Sequence, residues 1–376
     1  MLMVLLWRAH YHKEDFLLKK CRKDLVTTGD FEKVKQKLEE MNTWLNRAFK
    51  ETSFINVNKV FEPVKKRDIS SRKRILITGG AGFVGSHLVD VLMKDGHEIY
   101  VMDNFYTGRR CNIEHWIGHP NFALLHHDVT EPYLLEVDQI YHLACPASPT
   151  HYQYNPIKTI KTNTLGTMNM LGLARRIKAT MLLASSSEVY GDPVQHPQKE
   201  TYWGNVNPIG PRACYDEGKR ISETLCYSYY SQENVSIRVA RIFNSFGPRM
   251  HPNDGRVVSN FIAQAIKGEH LTIYGDGKQT RSFQYVKDLV RGLIALMNSN
   301  YSLPVNLGNP DEYTIVQLAS YIIDITRSNS SIQFLPKVKD DPQRRRPDIT
   351  VAKTYLNWKP EWEVKKGLQE TINTNF

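Results

Sequence analysis

The sequence predicts an α/β fold: a doubly wound parallel sheet with a smaller C-terminal substrate-binding cap, preceded by a helical N-terminal stem. Three observations carry that prediction. Short apolar runs rich in Ile, Val and Leu alternate with helical stretches from Lys73 onward. A glycine cluster, Gly79-Gly80-Ala81-Gly82-Phe83-Val84-Gly85, follows the first run and opens a helix. The charge is uneven: residues 1–74 hold 18 Lys/Arg against 10 Asp/Glu, and the remaining 302 hold 31 against 29.

The strand candidates are Arg74–Thr78, Glu98–Met102, Phe122–Leu125, Gln139–Leu143, Met181–Ala184 and Ser236–Arg241. Continuous apolar runs of this length suit strands covered on both faces. The helix after the glycines runs to Lys94. Beyond Asn244 the elements shorten, and Gly and Pro become frequent. These shifts divide the chain into a basic helical stem and linker (1–72), a dinucleotide-binding domain (73–240), and a region (241–376) that is mainly cap, partly interleaved with the sheet domain. In the stem, Phe31, Val34, Leu38, Met41, Leu45 and Phe49 recur at steps of three and four. That is an amphipathic helix too short to form a stable coiled coil alone, and it suits a stalk or a docked helix equally. Residues 51–72 lack a period and read as a linker ending in Lys65-Lys66-Arg67.

Composition excludes several classes. A chain of 376 residues that is 41% hydrophobic and 23% charged has a real core and is not disordered. The opening apolar run, Met1–Trp7, falls far short of the roughly 20 residues of a transmembrane helix. It also lacks the basic n-region of a signal peptide. The formal charge of +10 invites a nucleic-acid reading, but the surplus sits in the stem, apart from the globular body. Five cysteines (21, 111, 145, 214 and 226) with no CxxC argue against a disulfide framework or a zinc site, and read as buried reduced thiols. Three sequons, at Asn234, Asn300 and Asn329, permit glycosylation and say little about compartment.

The glycine cluster fits a dinucleotide cradle. Glycines allow the tight turn and let the backbone approach a pyrophosphate at the helix N-terminus. Gly79, Gly82, Phe83, Val84 and Gly85 form it, and Asp103 ends the second strand 18 residues later. A carboxylate there accepts from the adenosine ribose and repels a 2′-phosphate, which favours NAD over NADP. Asp128, in His126-His127-Asp128-Val129, either faces the adenine or serves as a turn residue.

A nicotinamide enzyme acting on a sugar hydroxyl needs a base. Tyrosine four residues before lysine on a helix puts both on one face, where the ammonium lowers a phenol pKa of about 10. Four such pairs occur. Tyr154/Lys158 contains Pro156, Tyr274/Lys278 spans Gly275-Asp276-Gly277, and Tyr355/Lys359 runs into Pro360. Tyr215/Lys219 heads a Pro-free stretch reaching about Gln232, after a strand ending in Ser185-Ser186-Ser187-Glu188. Tyr215 and Lys219 are the candidates.

The chain from about residue 73 to 376 resembles the extended short-chain dehydrogenases/reductases that act on nucleotide sugars, a Rossmann family, and within it the UDP-glucuronate decarboxylases. The stretches that carry the resemblance are Leu76–Leu88, Asn207–Arg220 and Asp254–Phe261. The first is shared by many relatives; the other two are narrower. The resemblance implies a closed redox cycle on bound NAD. Tyr215 takes the proton from the sugar 4-hydroxyl while hydride leaves C4, the 4-ketone permits loss of CO₂, C5 is protonated, and hydride returns to C4. UDP-glucuronate becomes UDP-xylose with no net oxidation.

By the same resemblance Ser186 hydrogen-bonds the reacting hydroxyl. Glu188 matches an acidic position of decarboxylases, poising a water or disfavouring the substrate carboxylate; by itself it reads as a solvated loop acid. Dehydratases carry an Asp-Glu pair where this chain has Ser187-Glu188, which counts against dehydration. Asn104, Thr107, Val129 and Leu143 join the cofactor set. Lys161, Thr162, Asn169, Arg175, Arg176, Asn244, Arg256 and Arg281 are the candidate substrate contacts, since a UDP-sugar acid needs convergent cations. Arg281 is placed to hold either the pyrophosphate or the carboxylate, and Arg344-Arg345-Arg346 reads as a solvated run. No metal site is expected. The alternatives are a UDP-sugar 4-epimerase or 4,6-dehydratase of the same superfamily, and a non-catalytic NAD-binding or nucleic-acid-binding protein. The resemblance also implies a homodimer through the Tyr215 helix and its neighbour, and a Golgi location through an N-terminal membrane anchor, for which Met1–Trp7 is too short a run; a cytoplasmic location is the alternative.

Overall fold

A computed structural model describes residues 59–251, 254–337 and 344–375, and Glu39. Glu39 is helical; the rest of the amphipathic segment expected over 31–49 lies outside the described residues, as do 51–58 of the linker and Cys21. Two compact units are distinguished. Met1–Glu62 with Gly118–Ala123 form one, in which the Phe61 and His119 rings meet edge to face at 5.1 Å. Pro63–Ile117 with Leu124–Phe376 form the other, which carries the site.

The chain alternates strand and helix as the apolar runs predict. Strand β1 (Arg74–Thr78) leads through the glycines to helix α1 (Phe83–Lys94), then β2 (Glu98–Asp103), β3 (Phe122–His126) and β4 (Gln139–His142). Short helices α2 (Pro149–Tyr154) and α3 (Pro156–Lys161) follow, then a single π turn (Thr162–Gly166) and α4 (Thr167–Ile177). Next come β5 (Thr180–Ser186), the long α5 (Ala213–Glu233) and β6 (Ile237–Ile242). Ile75, Leu76 and Ile77 of β1 are fully buried, which explains why that strand reads as an unbroken apolar run.

The C-terminal part is β7 (Ser245–Phe246), α6 (Val257–Lys267), β8 (Leu271–Tyr274), β9 (Thr280–Ser282), β10 (Gln284–Tyr285), α7 (Val286–Asn298) and β11 (Pro304–Leu307). It ends with β12 (Glu312–Thr314), α8 (Ile315–Thr326), β13 (Ile332–Leu335), β14 (Arg344–Arg345), α9 (Thr350–Leu356) and α10 (Val364–Asn375). Thr314 and Gln317 close a reciprocal capping box on α8.

Seven strands form one sheet in the order β11-β6-β5-β4-β1-β2-β3, parallel at every pairing from β11 to β2. The chain thus returns from its C-terminal part to complete the sheet with β11. The strand order reverses between β1 and β4, where open α/β sheets take their ligands. Small sheets lie beyond: β7 with β10, β8 with β13, and β9 between β12 and β14.

Two local readings change. The basic segment before β1 is coil, but it is pinned: Lys65 N donates to Lys94 O at 2.9 Å, and Arg67 pairs with Asp95 at 2.5 Å. Cys226 is buried and Cys145 and Cys214 are partly so, but Cys111 is exposed because its single turn lies at the surface. Among the described residues no helix is long and apolar enough to cross a membrane.

Candidate active site

Two adjoining cavities open at the C-terminal ends of the strands, sharing Phe83, Val84, Leu143, Cys145, Ala147 and Arg256. The first is the dinucleotide cradle. Gly79 sits at φ +71, and a Cβ there would lie 2.9 Å from Ala144 backbone atoms. A Cβ on Gly85 would fall 2.2 Å from Gly79 O. Only glycine lets this turn close, leaving free N–H groups at the start of α1 for an anion.

All eleven predicted cofactor contacts outside the Tyr-Lys pair line this cavity: Gly79, Gly82, Phe83, Val84, Gly85, Asp103, Asn104, Thr107, Asp128, Val129 and Leu143. Asp103 is fixed by N–H bonds from Ala81 and Phe105, both 2.9 Å, while burial raises its pKa. Asp128 is more than a turn residue. It accepts from Asn104 Nδ2 at 2.9 Å, Thr130 Oγ1 at 2.8 Å and Lys158 Nζ. Burial alone would raise its pKa; Lys158 and the other donors hold it well below the usual carboxylate range. Lys158 is thereby committed, and its partner Tyr154 in the rival pair is 84% exposed.

The second cavity, of about 650 Å³, is lined by Tyr215, Lys219, Ser186 and Glu188 together. Helix α5 supplies the first two, both buried; β5 ends on Ser186, and the single turn after it, Ser187–Tyr190, carries Glu188. Lys219 Nζ donates to Ala184 O at 2.9 Å and stands 5.7 Å from the Tyr215 ring centroid. Tyr152 stacks on Tyr215, centroids 5.1 Å apart at 14°. Here the expected lowering of the Tyr215 pKa is corrected. Burial raises it strongly and Cys145 adds to that, with Ser186 opposing through a hydrogen bond. Desolvation of the phenolate outweighs the nearby cations.

Glu188 is not a solvated acid. It is buried between two guanidiniums, accepting from Arg345 Nη1 and facing Arg212 Nη2 at 2.6 Å. Burial would raise its pKa, but Arg212 and Arg345 bring it down to about 2. Arg345 is 2% exposed and also donates to Gly191 O at 2.8 Å, so it is no part of a solvated run. The pairing of β14 with β9, Arg345 beside Arg281, carries it inward while Arg344 stays exposed. Asp216, one turn beyond Arg212, has its pKa pushed up to about 7 by burial and by Glu188. Tyr152, Arg212, Asp216 and Arg345 escaped sequence reasoning. Arg212 and Asp216 had a local signal, since both lie beside Tyr215 in the narrow Asn207–Arg220 stretch.

Asn244, Arg256 and Arg281 line the second cavity. Arg256 pairs with Asp254 at 2.9 Å. Thr162 lines the cofactor cavity instead, and Lys161, Asn169, Arg175 and Arg176 line neither. Asn169 Nδ2 donates to Val129 O at 2.9 Å. Arg175 pairs with Glu233 at 2.9 Å and Arg176 with Glu136 at 3.6 Å, on the outer face of α4. The helix turns these side chains away from the strand ends. No His, Cys, Asp and Glu group suited to a metal occurs among the described residues.

Sheet, cradle and Tyr-x-x-x-Lys helix define a dinucleotide-dependent enzyme of the short-chain dehydrogenase/reductase class. The chain belongs to the GDP-mannose 4,6 dehydratase family, whose profile matches residues 76–371. It is 64% identical over 340 residues to "UDP-glucuronic acid decarboxylase 1" of Danio rerio, covering 90% of this chain and 81% of that one. It is 60% identical over 302 residues to "UDP-glucuronic acid decarboxylase 1" of Arabidopsis thaliana, covering 80% and 69%. A solved UDP-glucuronic acid 4-epimerase from Bacillus cereus, in complex with UDP-glucuronic acid and NAD, superposes with TM-score 0.73 at 27% identity, over 80% of this chain and 98% of that one.

Proposed function

We propose that the chain converts UDP-glucuronate to UDP-xylose and CO₂ through a 4-keto sugar, recycling NAD. The observation that carries the reading is Glu188 held between Arg212 and Arg345 in the cavity that also holds Tyr215, Ser186 and Lys219. Two cations converge on one acid there, so the cavity can accept a second carboxylate that a neutral sugar would not supply. The names of the relatives at 60–64% identity point the same way.

In this reading residues 73–240 carry the cofactor, 241–376 mainly close over the sugar nucleotide, and 1–72 do no chemistry. NAD held by the Gly79–Gly85 cradle, Asp103 and Asp128 would supply an acceptor for the C4 hydride and, once reduced, its donor. Tyr215 accepts the 4-hydroxyl proton, with Ser186 hydrogen-bonded to the same oxygen. Lys219, bonded to Ala184 O, holds a positive charge beside the phenol. Arg345 and Arg212 orient the substrate carboxylate, and Arg256, Arg281 and Asn244 hold the sugar nucleotide. As the C5–C6 bond breaks, its electron pair moves to the C4 oxygen, where Tyr215 and Ser186 donate hydrogen bonds. C5 then takes a proton from water, and Tyr215 returns its proton to the 4-oxygen as hydride comes back to C4 and the alcohol re-forms. Ser187 offers no acid to expel a C6 hydroxyl, which disfavours 4,6-dehydration. Turnover of UDP-glucuronate should exceed that of UDP-glucose and UDP-galactose by at least about 100-fold. Faster turnover of either neutral sugar would favour a 4-epimerase.

The dimer expected from the resemblance has a candidate face. Ile157, Ile160, Leu165 and Met168, along α3, the π turn and α4, and Ile221 on α5 are 40–67% exposed. Ile157→Lys should halve the mass seen by light scattering; an unchanged mass would remove this face from consideration. A Golgi location rests on the resemblance alone, and imaging of the full-length product of the gene tests it.

A further inference from the structure

We propose that Asp90 is a positioning residue for the cofactor cavity, holding Arg249 against its wall and so slowing the release of bound NAD. The inference rests on the proposed use of NAD. The N-terminus of α1 opens the glycine cradle, and the next two turns of the same helix grip the C-terminal half of the chain. His87 Nε2 donates to Pro248 O at 2.8 Å. Asp90 Oδ2 accepts from Arg249 Nη2 at 2.7 Å. The other carboxylate oxygen accepts from His115 Nε2 at 2.7 Å and Trp116 Nε1 at 2.8 Å. Two ring N–H donors therefore fix Asp90 from behind, and its rotamer is locked toward Arg249.

Arg249 itself is in the left-handed backbone region, φ +67, which an Arg seldom adopts without surrounding constraint. The two contacts from α1 fall on this residue and the one before it. Arg249 lines the cofactor cavity with Gly82, Phe83 and Arg256. Seven residues further on, Arg256 lines both cavities. The anchor at Asp90 thus fixes Arg249 on the cofactor side, while Arg256 borders cofactor and sugar nucleotide alike. It also keeps a guanidinium beside a cavity shaped for two phosphates. A cycle that must hand hydride back to the same sugar depends on the cofactor staying in place, which gives such an anchor a purpose.

The test uses full-length protein loaded with radiolabelled NAD and chased with excess unlabelled NAD, so that release is read without any turnover. Asp90→Asn leaves a carbonyl for Trp116 and His115 but loses the charge facing Arg249; release should speed up about tenfold. Arg249→Met should do the same, and the double variant should be no faster than either single one, since both remove one interaction. Arg249→Met spares the bonds of Asp90 to His115 and Trp116, so it carries the test if Asp90→Asn folds poorly. Unchanged release in Arg249→Met, or effects that multiply to about 100-fold in the double variant, would overturn the proposal. Wild-type protein that retains no NAD would overturn the proposed function along with it.

Discussion

The two cavities share a wall at Phe83, Val84 and Leu143, yet they are built differently. The cofactor cavity is made largely by backbone: glycines that admit no Cβ, strand ends, and an Asp103 pinned by two N–H groups. The sugar cavity is made by charged side chains from distant parts of the chain, Glu188, Arg212, Arg281 and Arg345. A backbone cradle fails chiefly by steric intrusion. A pocket of buried charges fails when one charge is removed or titrated, because the partner left behind is buried.

The largest expected effect separates chemistry from both binding sites. Tyr215→Phe should lower kcat by about 10³-fold or more while NAD and UDP affinities, by calorimetry, stay within about twofold. Equal losses in binding would blur the contrast between the cavities. Next, Arg345→Met leaves buried Glu188 with Arg212 as its one remaining guanidinium. Denaturant unfolding should show a loss of about 3–5 kcal/mol, with much of it recovered by adding Glu188→Gln. Gly85→Ala should act on the cofactor side alone, weakening NAD at least about tenfold with UDP affinity unchanged, since its Cβ would meet Gly79 O.

The last effect is a pH dependence on the sugar side. Asp216 has its folded pKa raised from 3.8 to about 7, so its stabilising contribution is full below 3.8 and is lost as pH rises through 7. Asp216→Asn should therefore gain stability relative to wild type as pH rises from about 4 to about 8. Melting curves that stay parallel across that range would contradict the placement of Asp216 among these charges.

The same difference explains what was legible in the sequence. The cradle, Asp103 and the Tyr215 helix are local patterns: glycine spacing, a strand end, a four-residue step without proline. The alternation of runs announced the parallel sheet. The sugar pocket depends on contacts no local pattern encodes. Arg345 looks like one of three solvated arginines until β14 pairs with β9, and Glu188 looks exposed until that pairing brings Arg345 to it. Arg175 and Arg176 follow a helix toward the outside and find Glu233 and Glu136 instead. The phenol of Tyr215 is a related case. Spacing reveals the neighbouring ammonium but not the depth of burial, and burial sets the direction of its pKa.

The central claim is a closed cycle in which one C–C bond is lost and C4 keeps its hydrogen. Turnover of UDP-glucuronate in D₂O tests it directly, with the nucleotide-sugar product read by NMR. The account predicts UDP-xylose, one CO₂ per product, solvent deuterium at C5 and none at C4. Deuterium at C4, or a product that keeps its carboxylate, would contradict it.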